Sequence, residues 1–213
     1  MTEVSVIILG AGGHAKVLLA ALARMGQNVA GLVDGNPGLP QDGYCMGLPI
    51  LGDDTWLLSR PVESVRLVNG LGSTGPTAAR TGLYQRFKAA GFAFLTVLDP
   101  ESRVEPDCCL GEGAQVLKGV LIQPGVRIGA NTIVNTGAII DHDCTIGENS
   151  HIASGAVLSG GVWVGMGCHV GAGAVVRQGI ELGEGAVVGA GGVVVSRVPA
   201  GAVVYGNPAR VVK

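Results

Sequence analysis

Aromatic side chains are scarce in this 213-residue sequence, only 4% of it, and charged ones reach just 14%. A chain with so few large rings must fill any core with aliphatic side chains. The formal net charge of −2 makes no electrostatic case for nucleic acid or an anionic membrane as partner. No apolar run approaches the roughly 18 residues that span a bilayer. The opening MTEVSVIILGAGG lacks the basic segment of an export signal. The five cysteines, Cys45, Cys108, Cys109, Cys144 and Cys168, form no CxxC pair and no framework spacing. Reduced thiols in a cytoplasmic protein are therefore expected. Hydrophobic residues nonetheless make up 47% of the chain, which excludes a disordered one.

Glycine is in excess, with 37 residues or about 17% where about 7% is usual. No three-residue period runs through them, so collagen is excluded. Fifteen fall in residues 1–100 and 22 beyond, and the two halves use them differently. The first half alternates as an α/β unit. Residues 4–9 (VSVIIL) read as a buried parallel strand. The turn GAGGH follows, then a helical stretch with Val17, Leu18, Ala21, Leu22 and Met25 on one side, ended by Gly26. Val29–Val33 reads as a second strand and Val65–Asn69 as a third. A helix is expected from near Pro76 to Gly91, and a strand over residues 92–98.

From Val104 the pattern changes. Every sixth residue from Val104 to Val194 is Val, Leu or Ile, sixteen in a row. Such a period defines a solenoid. One inward aliphatic every six residues, with a turn each time, gives a three-sided parallel coil of about eighteen residues, stacked about 4.8 Å apart. Glycine serves its tight or positive-φ corners. Cys144 occupies a small-residue slot and is expected to face inward.

Taken with GAGGHAKV near the start, NTGAIIDHDCTIGENSHIA in the middle and VVYGNPARVV at the end, these hexads resemble a known family. It is the hexapeptide-repeat nucleotide-sugar N-acetyltransferases and sialic acid O-acetyltransferases. The resemblance implies a small Rossmann-like α/β domain with a parallel sheet (residues 1–100), then an all-β left-handed parallel β-helix (residues 101–213). It also implies a homotrimer with active sites between subunits.

Gly10, Gly12 and Ala15 fit the G-x-G-x-x-A dinucleotide fingerprint, with Asp34 near the expected acidic position. Read alone, the motif suggests NAD or FAD. The resemblance instead assigns the loop to the pyrophosphate of a nucleotide sugar. Gly12, Gly13 and His14 would be in contact, Asp34 and Gly35 by the base or ribose, and Gly72 on a neighbouring strand end.

Acetyl transfer from coenzyme A to an amine needs a base, and histidine titrates close to working pH. His142 lies in Asp141-His142-Asp143, two places past an inward aliphatic, so it belongs to a corner or an outer face. The resemblance makes His142 the general base and Asp143 its partner. It also gives acetyl-CoA contacts to His151, Ala172 and Ala190. Asn135 is a candidate for holding the substrate or the acetyl carbonyl. His169, eighteen residues after His151, should stack beside it on the same face, and exposed surface is its expected place. His142, His151 and His169 lack the spacing of a three-histidine zinc site, and no metal is expected. The substrate expected is a nucleotide-linked 4-amino-4,6-dideoxyhexose, GDP-perosamine-like or UDP-linked. Sialic acid O-acetylation and nicotinamide binding are the rival readings, and a non-catalytic scaffold leaves the phosphate loop unexplained.

Overall fold

The computed structural model describes residues 4–36, 38 and 43–212. Strand β1 (Ser5–Leu9) runs into helix α1 (Gly13–Arg24) and returns as β2 (Val29–Val33). Next come a hairpin of β3 (Tyr44–Cys45) and β4 (Leu48–Gly52), helix α2 (Asp54–Leu58), β5 (Val65–Asn69) and helix α3 (Ala78–Ala89). The sheet order is β3-β4-β2-β1-β5, with only β3 antiparallel. The 44–52 hairpin and α2 carry no strong period, and sequence reading did not resolve them.

The strand expected over residues 92–98 is divided in two. Phe94 bridges Leu67 of the α/β sheet, whereas Val97–Leu98 pairs with Gln115–Val116 as the first rung of the solenoid. The chain thus leaves one sheet and enters another within a few residues.

Beyond that point the protein is a three-sided parallel β-helix of two-residue rungs. The first face stacks Val97–Leu98, Gln115–Val116, Ile133–Val134, His151–Ile152, His169–Val170, Val187–Val188 and Val203–Gly206. The second runs from Arg103–Val104 through Ile139–Ile140 to Val193–Val194, and the third from Cys109–Leu110 through Thr145–Ile146 to Glu181–Leu182. Partners stand eighteen residues apart, as in Ile133↔His151. The hexad aliphatics line the prism's interior, and Val134, Ile140, Leu158 and Val176 are wholly buried, as is Cys144. The last coil is shorter, sixteen residues from Val187 to its partner Val203, and Ala209–Val211 then folds back antiparallel. Among the described residues no helix is long and apolar enough to cross a membrane.

The α/β domain sits on the first face. The outward residues there, Gln115, Ile133, His151, His169 and Val187, are all buried, whereas outward Leu121 and Ile139 on the second face are exposed. Arg24 of α1 chelates buried Asp99 (2.6–3.2 Å), and α1 packs on Val97, Leu117 and Ile133. Ile146→Ala should cost about 2–5 kcal/mol through loss of buried contacts and the cavity left. Thr145→Ala, one residue away on the outer face, should stay within about 0.5 kcal/mol; urea unfolding of both variants checks this.

Candidate active site

The glycine turn after β1 is shaped by a close crossing. Gly10 has φ +91°, and a Cβ there would lie 2.8 Å from Leu71 Cδ1, so the bare backbone of Gly10 makes room for the Leu71 side chain. Gly12 caps α1 without a side-chain bond. The first-turn amides of α1 lack partners inside the helix, and a helix N-terminus in that state favours an anion. Gly13, His14, Gly72, Ser73, Asn135 and His151 line a cleft of about 560 Å³ at this point. Asp34 is used differently: its Oδ2 accepts from Ala11 N–H (2.8 Å) and its Oδ1 from Asn36 N–H (2.9 Å). With Gly35 it borders a separate cavity of about 130 Å³ behind Gly10.

A second cleft, about 490 Å³, follows the corner between the first and second faces past Ala153, Ala172, Gly189, Ala190 and Tyr205. Ser73, Thr74, Asn135 and His151 line both clefts, so the two meet there. The sequence-predicted Gly13, His14, Gly72, Asn135, His151, Ala172 and Ala190 are all on this continuous surface.

Polar contacts at the junction have a fixed direction. Asn135 Oδ1 accepts from Thr136 N–H (2.8 Å), which turns its Nδ2 toward His151 Nε2 (3.2 Å). An amide nitrogen only donates, so Nε2 carries the lone pair and His151 Nδ1–H donates to Ser73 Oγ (2.9 Å). The Ser73 hydroxyl is left to donate toward His169 Nδ1 (3.5 Å). The His151 and His169 rings meet edge to face, 5.0 Å apart. His169 therefore stacks on His151 as expected, but it is buried rather than on exposed surface, because the α/β domain covers this face. Burial pushes His151 down to about 3, and it lowers His169 as well. His14 is also held: its Nε2–H donates to Gln115 Oε1 (2.7 Å), and burial pushes it down to about 4.

Sequence reading missed Ser73, Gln115 and Arg80. Arg80 is wholly buried and donates to the carbonyls of Asn69, Leu71 and Asn131 (2.6–3.1 Å), fastening the NGLGS strand end to the β-helix. Burial pushes its pKa down to about 9. Gln115 carried a signal: among the outward residues of the first face it is polar where Ile133 and Val187 are aliphatic.

His142 and Asp143 lie elsewhere, on the corner between the second and third faces, one face away from both clefts. His142 Nδ1 contacts Asp143 Oδ2 at 2.8 Å. The hydrogen bond to Asp143, aided by the charge of Asp141, raises the His142 pKa. Asp143 adopts φ +60°, a left-handed conformation that costs a non-glycine residue about 1–2 kcal/mol. The corner itself imposes it, since Asn131 and Asn149 hold the same conformation at equivalent positions. Among the described residues, no three His, Cys, Asp or Glu side chains are grouped to hold a metal ion.

The comparisons follow the same division. Residues 5–75 match the PglD N-terminal domain. Residues 125–160 match the bacterial transferase hexapeptide and residues 161–197 the hexapeptide repeat of succinyl-transferase, which together define a hexapeptide transferase. A mutant of perosamine N-acetyltransferase from Caulobacter crescentus, solved with CoA and GDP-perosamine, is 36% identical, covers 98% of this chain and 97% of its own, and superposes with a TM-score of 0.91. The acetyltransferase domain of PglB from Neisseria gonorrhoeae is 32% identical over 98% of this chain and 99% of its own, with a TM-score of 0.89. No match is found among curated protein sequences. The chain belongs to the hexapeptide-repeat sugar N-acetyltransferases, with their N-terminal α/β domain and left-handed β-helix.

Followed by NMR, the imidazole of His142 should titrate above the ordinary value of 6.5. His151 and His169 should stay neutral through the range in which it does so. Titration of His151 with His142 would contradict the directed chain.

Proposed function

We propose that this protein transfers the acetyl group of acetyl-CoA to the 4-amino group of a nucleotide-linked 4-amino-4,6-dideoxyhexose. The observation that carries the reading is the junction of two clefts at Ser73, Asn135 and His151, in a chain similar over its whole length to an enzyme solved with CoA and GDP-perosamine. Residues 1–100 would hold the nucleotide sugar, with its pyrophosphate at Gly12, Gly13 and His14. Residues 101–213 would hold the donor, its pantetheine arm against Ala172 and Ala190, where larger side chains would block it.

In this reading Asp143 Oδ2 accepts from His142 Nδ1–H, leaving Nε2 free as base. The sugar amine attacks the thioester carbon, His142 Nε2 takes the amine proton, the C–S bond breaks and CoA leaves as thiolate. A base must be neutral to act, and the His142 pKa is raised. Activity should therefore fall as pH drops through a limb above 6.5. Asp143→Asn removes the bond that raises it and should move the limb to lower pH. His142→Ala should lower kcat/KM by at least about 10²-fold. The assay is acetyl-CoA consumption against GDP- and UDP-linked 4-amino sugars, with a GDP-perosamine-like substrate expected to lead. Turnover of a sialic acid hydroxyl with none of the amino sugars would overturn the reading.

The protein is proposed to act as a cytoplasmic homotrimer. Outward Leu121, Ile139, Val157, Val175 and Val193 form a continuous aliphatic row on the second face, of the kind that marks an interface. Packing through this face supplies His142 of one subunit to the clefts of the next. Hybrids of His142→Ala and Asn135→Ala subunits should then regain activity that neither parent variant has. Hybrids no more active than the parents would exclude shared sites.

A further inference from the structure

Each corner of the β-helix is a two-residue turn, and its first residue recurs every six positions from Pro106 to Ala190. Those fifteen positions hold Pro, Glu, Lys, Ala, Thr, His, Ser, Met and Gln, but glycine only once, at Gly160. The second residue of the same turn, Gly161, has φ +66° and needs glycine; Gly160 does not take a positive φ. Its backbone conformation is open to any residue.

What a side chain at 160 would meet is the base of the preceding coil. A Cβ there would lie 2.5 Å from His142 Nε2, 2.7 Å from Cε1 and 3.1 Å from Cδ2, so its three nearest neighbours are all atoms of that imidazole. On the other side, a Cβ at Gly125 would lie 2.7 Å from Asp143 Oδ1. The pair thus lies in a trough between two glycines, one in the coil below and one in the coil above. Contacts so short cannot be kept in a packed structure, so a methyl group at 160 displaces the ring. Turning the ring away opens its 2.8 Å contact with Asp143.

We propose that Gly160 is a positioning residue, present to seat the His142 imidazole in the orientation that pairs Nδ1 with Asp143. The catalytic consequence rests on the reading of His142 as general base, but the seating itself does not. Gly160→Ala should fold and melt like the parent, because alanine suits this turn position. It should lower kcat at least about tenfold, leave KM for both substrates nearly unchanged, and move the acid limb of kcat/KM to lower pH. In the His142→Ala background, adding Gly160→Ala should change nothing further.

NMR titration of His142 in Gly160→Ala separates the two ideas, since the His142 pKa should fall toward 6.5 whether or not that residue is the base. If His142→Ala is nearly as active as the parent while this fall is seen, the base assignment fails and the seating stands. Unchanged titration of His142 in Gly160→Ala overturns the seating. So does an additive loss in the double variant, or failure of Gly160→Ala to fold, because each would show that glycine is needed there for another reason.

Discussion

The residue on which this molecule depends is the left-handed one at each corner of the β-helix. Its positive φ turns the chain so tightly that two-residue strands, otherwise far too short to persist, fall into register with their neighbours every eighteen residues. From Asn131 on, its amide bonds to the corner carbonyl of the coil before, as Gly137 N–H does to Lys118 and Gly155 N–H to Thr136. From 113 to 191 eleven of these corner residues are glycine and three are not: Asn131, Asp143 and Asn149. Each exception uses a side chain that glycine could not supply. Asn131 and Asn149 join in a buried amide pair that reaches Asn69 of the α/β domain (2.9 and 3.1 Å). Asp143 supports His142. The repeat is broken where the domain docks and where the candidate base stands.

This pattern also explains what was legible in advance. The period of six comes from a physical demand repeated at every corner and rung, so a single chain shows it many times over. The interior ladder, the inward Cys144 and the stacking of His169 on His151 all follow from counting. The burial of His169 does not, because it depends on a second domain lying on one face, and no local signal in HVGAG announces a cover. The His14–Gln115 bond joins residues 101 positions apart and is equally invisible to any window. A reading of outward positions at intervals of eighteen, instead of six, would have separated an apolar second face from a mixed first one.

Two kinds of histidine result. Those under the α/β domain are desolvated and held as neutral hydrogen-bonding groups, His151 through both of its ring nitrogens. His142, in open solvent with carboxylates on both sides in sequence, titrates above the ordinary imidazole value. The fold makes this distinction by placement, His142 on a corner turn and His151 and His169 on outward rung positions of the covered face. Burial fixes the scaffold of the clefts, and exposure keeps the candidate base adjustable.

The shortened final coil and the strand Ala209–Val211 bear on something other than the site. A stack of parallel rungs has no intrinsic length, and its last rung offers unpaired amides and carbonyls that another copy could extend. By dropping two residues from the coil and turning back antiparallel, the chain presents an edge whose direction no longer matches the rungs beneath it. The first face thereby ends in an edge that another copy could not extend in parallel register.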